Sequence, residues 1–367
     1  MNMKTIVTRI ALMGTLLLSV AACKNFKKAG TAEGLADVPF VETQLPRRVP
    51  TGALDAAIPE FLRAFMTDST MIIHSVIIVK DGQIQWEYSS MEHPADSAHA
   101  MWSVSKTFTS IAVGFAIEEG RLKLEDKLVD LFPDKLPEQP SDNLNKITVR
   151  DLLTMNCGHD TEPRFNRDSV DWVEAFLAWP VEHVPGTWYC YNSMGTFMLS
   201  AIVQKLTGEK IVDYLTPRLF TPLGIPAPRW DENPQGINCG GWGLYLRTED
   251  MAKTGLCILQ RGEYDGKQVI PATCVDQMTA YQVPCVPAGM RADKAEELGL
   301  TKENSDWVQG YGYQMWRCRH NAVRADGARG QYIIVIPDKQ AVVAMTANVS
   351  NMQREINLVW DYLLPGL

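Results

Sequence analysis

The chain has 367 residues and a formal charge of −8, a balance that excludes the basic surface nucleic-acid binding requires. Its apolar fraction of 46% is ordinary and excludes a disordered polymer. One large domain or two modest ones with a packed core are expected.

Lys4 and Arg9 precede an apolar run from Ile10 to Val20, and Ala21 and Ala22 come before Cys23. This is a signal-peptide pattern over residues 1–22, too short for a stable membrane span. Val20-Ala21-Ala22-Cys23 resembles a bacterial lipobox, with Cys23 as the lipidated first mature residue. An ordinary secretory peptide with an incidental cysteine is the alternative. Residues 23–45 then read as a polar tether. The expected location is the bacterial cell envelope, with the membrane reached through the lipid on Cys23. Seven further cysteines at irregular spacings define no disulfide framework.

Residues 54–67 carry a helical period. Met71 to Val79 is strongly strand-forming, Asp81-Gly82 suits a hairpin turn, and Ile84 to Tyr88 alternates as the return strand. An apolar helix follows from Ile111 to Ile117. The middle of the chain reads as mainly helical, with segments at Thr148–Met155, Val170–Trp179, Ser193–Leu206, Ile211–Leu219 and Thr248–Gln260. Strands return at Gly312–Arg319, Gln331–Ile336 and Ala341–Ala347, and an amphipathic helix closes the chain from Asn351 to Leu364. Strands at both ends with helices between them predict an α+β fold. One antiparallel sheet is built from both termini with flanking helices, and a mainly helical lobe is inserted. The α/β lobe is expected over about 46–110 and 300–367, and the helical lobe over about 111–299, with a cleft where they meet.

Three patches carry chemistry. In Ser103-Val104-Ser105-Lys106, Ser103 and Lys106 are three apart at a helix entrance, so they share one face. A serine hydroxyl becomes a nucleophile when a base takes its proton, and a lysine serves when its pKa is depressed. The Ser-x-x-K pattern is known from β-lactamases and penicillin-binding proteins. On spacing alone, a serine cap followed by a solvated lysine is the commoner arrangement. The second patch is Pro185-Gly186 followed by Tyr191-Asn192-Ser193, where Tyr191 is either a proton carrier for Ser103 or a packing tyrosine beside Trp188 and Tyr189. The third is Arg324-Ala325-Asp326-Gly327-Ala328-Arg329-Gly330-Gln331. Here the Ala328 N–H is placed to complete an oxyanion hole with that of Ser103, or the segment is a surface turn.

Taken together, these patches resemble the serine β-lactamase-like superfamily, in its class C β-lactamase, esterase and penicillin-binding protein branch. The resemblance covers most of residues 50–365. It also includes Ile147-Thr148-Val149-Arg150-Asp151-Leu152-Leu153 and Gly240-Gly241-Trp242-Gly243-Leu244 followed by Thr248-Glu249-Asp250-Met251-Ala252. The resemblance implies an acyl-enzyme on Ser103, with Lys106 and Tyr191 as the general-base pair. It implies Ser103 and Ala328 amides at the oxyanion, and Asn192, Ser193, Asp326 and Gly327 at the substrate. Two positions depart from the family pattern. Its Tyr-x-Asn motif reads Tyr191-Asn192-Ser193, and its Lys-Thr-Gly motif reads Ala325-Asp326-Gly327, with Arg324, Arg329 or His320 as replacements for the missing cation. These departures favour an esterase or amide hydrolase, similar to 6-aminohexanoate-dimer hydrolases. A β-lactamase or D,D-peptidase and a non-catalytic binding lipoprotein are the alternatives. No cofactor is expected. His93 and His99 with Asp96 fit no standard metal spacing, so no metal is expected either.

Overall fold

The computed structural model describes residues 40–367. The expected signal segment, Cys23 and the expected tether as far as residue 39 lie outside the described residues. The ordered body begins before residue 46. The Leu45 N–H donates to Glu249 Oε1 at 2.7 Å, and buried Lys253 holds the Thr43 carbonyl at 2.5 Å. The end of the expected tether is therefore docked on the domain.

Among the described residues ten strands occur in chain order: β1 (Met71–Lys80), β2 (Gln83–Ser89), β3 (His99–Ala100), β4 (Tyr245–Leu246), β5 (Glu263–Tyr264), β6 (Lys267–Gln268), β7 (Trp316–Arg317), β8 (Val323–Gly327), β9 (Gln331–Ile336) and β10 (Ala341–Val349). Six form one antiparallel sheet in the order β2-β1-β10-β9-β8-β7. The two chain ends thus meet in the middle, β1 against β10. The β1–β2 turn has Asp81 at φ 49° and Gly82 at φ 77°, the pair of positive angles a two-residue hairpin of this hand requires.

Alternation along the strands feeds two apolar layers. Val343, Met345 and Ile334 join a layer with Phe61 and Phe65 of α1 (Ala53–Met66) and with Ile356 and Trp360 near the C-terminus. Val342, Ala344 and Ile333 join the layer that contains α2 (Ser105–Glu118), α3 (Ser193–Thr207) and α4 (Thr248–Leu259). Helix α4 lies directly on the sheet. A Cβ at Gly255 would come within 2.6 Å of Val342 and 2.7 Å of Ile333, so a glycine is what permits that approach. This corrects the expected boundary, since α4 belongs to the sheet side although the sequence placed it within 111–299.

Two other expectations change. The strand expected over 312–319 is reduced to Trp316–Arg317, because Gly312 turns back to hydrogen-bond Met315. Val323–Gly327, read as a segment before a strand, is itself a strand. Its charges hid it: Arg324 is fully buried there, and the half-buried Asp326 pairs with it at 2.8 Å.

Behind the turn that follows β8, Glu355 of the closing helix α5 (Met352–Leu358) is fully buried, and neither of its carboxylate oxygens has a partner. Burial holds its pKa well above the usual carboxylate range, and the nearby Asp326 pushes the same way. It therefore stays protonated in the fold while ionising in the unfolded chain. Above the unfolded pKa the unfolded state binds fewer protons, so this group lowers stability as pH rises. Glu355→Gln is expected to remove that slope, at most about 1.4 kcal/mol per pH unit. Urea unfolding at pH 5 and pH 8 tests it, and an equal difference from wild type at both values would sink the assignment.

Candidate active site

The turn at 101–104 carries Ser103 between sheet and helix. Trp102 sits at φ 46°, a backbone conformation that costs an L residue of this size roughly 1–2 kcal/mol. Ser105 fixes the turn: its hydroxyl donates to the Trp102 carbonyl at 2.7 Å and accepts the Leu244 N–H at 3.2 Å. Of the two serines, Ser105 is therefore a buried brace, while Ser103 is half-buried and open to the cleft.

Lys106 follows one turn later and is 1% exposed. Its ammonium lies 2.9 Å from Ser103 Oγ, 3.1 Å from Ser193 Oγ and 2.7 Å from the Gly241 carbonyl. Burial lowers its pKa to about 7; Glu162 and Asp326 oppose the shift, and Arg167 adds to it. The arrangement of a solvated lysine is thus excluded. Gly240 and Gly241 are what let this backbone reach the lysine. A Cβ at Gly241 would fall 2.7 Å from the Ser193 carbonyl, and one at Gly240 2.8 Å from the Ser200 side chain.

Tyr191 packs in an aromatic cluster and lies beside the Ser103–Lys106 pair. Its ring stacks on Trp316 at 5.4 Å and meets Tyr311 edge-on at 6.3 Å. The Lys106 ammonium lies 4.9 Å from its ring centre. Burial raises its pKa against the Ser103 hydroxyl, which acts to lower it, so the resting group is a neutral phenol. Ser103, Lys106, Tyr191 and Ser193 thus converge.

Asn192 does not join them, which corrects its expected place at the substrate. It is buried, its Oδ1 caps α3 through the Gly195 N–H at 2.9 Å, and its Nδ2 meets His159 at 3.1 Å. As the residue preceding a helix, its side chain is drawn to the free N–H groups of the first turn. Ser193 occupies the position that faces the lysine.

The third patch reaches the site through strand β8. A Cβ at Gly327 would stand 2.3 Å from the Met101 carbonyl, so this glycine is needed for contact with the Ser103 turn rather than for space at the substrate. Ala328 follows it and is exposed. Asp326 is no free substrate ligand, because its carboxylate accepts from Arg324 Nε at 2.8 Å. Arg324 is completely buried against Trp307 and Trp316, and His320 packs on Trp360 at 5.1 Å. Of the three replacement cations, Arg329 alone is exposed near the mouth, 5.9 Å from the Trp102 ring. Glu162 was missed altogether. It accepts the Ser193 N–H at 2.7 Å and acts electrostatically on Lys106 and Tyr191. It lies in an aperiodic loop, which offers no sequence signal.

A buried Ser-x-x-Lys pair at the head of a core helix, beside an antiparallel sheet built from both chain ends, defines the serine β-lactamase-like fold. The profile of the Beta-lactamase family matches residues 59–363, and the chain belongs to that family. Penicillin-binding protein 4 of Amycolatopsis lactamdurans is 25% identical over 288 residues, covering 69% of this chain and 72% of that protein. Lovastatin esterase of Penicillium rubens is 24% identical over 255 residues, covering 54% and 63%. A penicillin-binding protein homologue from Caulobacter crescentus superposes with a TM-score of 0.66 at 14% identity, covering 85% of this chain and 97% of that one. Among the first curated relatives the match spans between 41% and 72% of the relative's own length. The family is one of serine hydrolases, with peptidase and esterase members among these relatives.

Proposed function

We propose that this protein is a cell-envelope serine hydrolase that cleaves an ester or amide bond through an acyl-Ser103 intermediate. The contact between Lys106 and Ser103 carries the reading. A lysine held near neutrality by burial and 2.9 Å from the serine hydroxyl is a base poised at working pH. Lys106 takes the Ser103 proton as the hydroxyl oxygen attacks the carbonyl carbon. Tyr191, a neutral phenol beside this pair, passes a proton to the leaving group and takes in its place the proton that Lys106 received from Ser103. The Ser103 and Ala328 amides receive the oxyanion. Water then attacks the acyl carbon, with the proton returning to Ser103. The envelope location rests on the N-terminal pattern ending at Cys23. Among the described residues no helix is long and apolar enough to cross a membrane.

An ester or amide substrate is favoured over a β-lactam by the third patch. A penicillin or a D,D-peptide presents a carboxylate, and a free cation is needed to meet it. Here the acid Asp326 precedes Gly327 and is neutralised by its own buried arginine. Arg329 supports the second reading, a penicillin-recognising enzyme, since it is exposed beside Trp102. Intact-protein mass after exposure to a fluorophosphonate, and separately to a penicillin, decides between them. A fluorophosphonate adduct without penicillin adduct or penicillin turnover is expected. A penicillin adduct or turnover moves the assignment to the second reading, and no adduct with either reagent overturns hydrolysis.

Tyr191→Phe keeps the stacking on Trp316 but removes the proton carrier. It is expected to lower kcat on an ester substrate by about 10²-fold or more while leaving thermal unfolding within a few degrees. An unchanged kcat would leave Tyr191 a packing residue.

A further inference from the structure

Three histidines that the hydrolase reading does not use meet on the sheet side of the molecule. His74 lies on β1 where the register with β10 slips between Ile73 and Ser75, and an irregularity of this kind re-aims a side chain out of strict alternation. His93 lies on the loop after β2, which is tied to β1 by the Ser90 N–H on the His74 carbonyl and folded back by the His93 N–H on the Ser90 carbonyl. His99 opens β3 opposite Leu246 and is buried. The ring centres of His74 and His93 are 3.9 Å apart, those of His93 and His99 5.3 Å, and those of His74 and His99 5.8 Å.

One ring nitrogen from each lies within 4.8 Å of the other two. The rings of His159 and His183 are engaged by Asn192 and Asp160, whereas the rings of these three make no hydrogen bond to another of the described residues. A neutral imidazole nitrogen is the form that binds a metal.

We propose that His74, His93 and His99 together form a site for a zinc-class divalent ion. Imidazole is a donor for Zn²⁺ and its borderline neighbours rather than for Mg²⁺ or Ca²⁺. Three nitrogens and one water complete a tetrahedral shell at about 2.0–2.1 Å per bond, which a small movement of the His93 loop accommodates. The ion would join β1, the 90–98 loop and β3. Strand β3 continues through Met101 into the turn that carries Ser103, so the site would fasten the segment that presents the nucleophile. Asp96 takes no part, unlike the grouping weighed from sequence spacing. The ligand that matters is His74, a distant residue that the hairpin fold brings in.

The full chain, stripped by dialysis against a chelator and titrated with Co²⁺, tests this. One equivalent with visible d–d absorption, displaced by Zn²⁺, is expected for wild type and for Ser103→Ala. His93→Ala and His99→Ala should each weaken binding at least tenfold and abolish the rise in Tm that Zn²⁺ gives the wild type. His93 is on a loop, so its variant should keep the wild-type circular dichroism and serves where a strand substitution disturbs folding. Absence of Co²⁺ binding by the folded wild type, or binding unchanged in folded His93→Ala, overturns the proposal. Hydrolysis does not enter the readout, so either result leaves the acyl-Ser103 mechanism untouched.

Discussion

Ser103→Ala is expected to eliminate the fluorophosphonate adduct and to lower hydrolysis of an activated ester at least about 10³-fold. The side chain removed is half-buried, and its contacts are with Lys106 and Tyr191 rather than with the core. The variant should therefore fold as the wild type does. Ser105→Ala is the instructive contrast. It removes the brace between Trp102 and Leu244, so stability falls by about 1–3 kcal/mol as a buried N–H loses its acceptor. Labelling at Ser103 survives in whatever fraction stays folded. Intact mass and thermal unfolding on the two variants separate nucleophile from brace. An adduct persisting in Ser103→Ala would remove the acyl-enzyme from the mechanism.

The second large effect is at Lys106, in activity and stability together. Its pKa of about 7 predicts a kcat/KM that rises with pH through about 7 and falls tenfold per unit below it. Lys106→Arg places a permanently charged group at the same point, and activity should drop by about 10²–10⁴ at every pH. Stability moves the other way in Lys106→Met. The folded pKa is depressed below that of the unfolded chain, near 10.4. Between the two values the unfolded state binds more protons, so wild-type stability rises with pH there. Below about 7 the buried ammonium imposes its full cost. Lys106→Met should consequently be more stable than wild type by on the order of 1–3 kcal/mol at pH 6, the gain shrinking toward pH 10. Urea unfolding across that range checks the sign. A difference independent of pH would show that the lysine is not held neutral by burial.

Such a gain of stability with loss of activity is what a site built against the interests of the fold predicts. The same tension is visible at Trp102, whose positive φ precedes the nucleophile, and in the buried acid Glu355 beneath the third patch. Each is a local cost that the surrounding core tolerates because helices α2 and α3 and the sheet strands are almost wholly buried.

The amino-acid sequence by itself determined the elements whose information is local. Asp81-Gly82 dictated the β1–β2 hairpin, the unbroken apolar runs dictated β1, β9 and β10, and the three-residue spacing put Ser103 and Lys106 on one helical face. Resemblance singled out Tyr191, which the residues alone left between proton carrier and packing tyrosine, and Ser193, to which they gave no role. Only the tertiary structure decided what depends on residues far apart in the chain. It buried Lys106 under Ser193 and Gly241 and so changed its protonation. It turned Asn192 inward as a helix cap, paired Arg324 with Asp326 inside a strand that charge had disguised, and brought Glu162 to the site from an aperiodic loop. It also set His74 beside His93 and His99. The physical reason is common to all of them. A pKa, an ion pair or a ligand set is fixed by the dielectric and the neighbours at a point in space, and those neighbours come from segments whose order along the chain carries no record of their meeting.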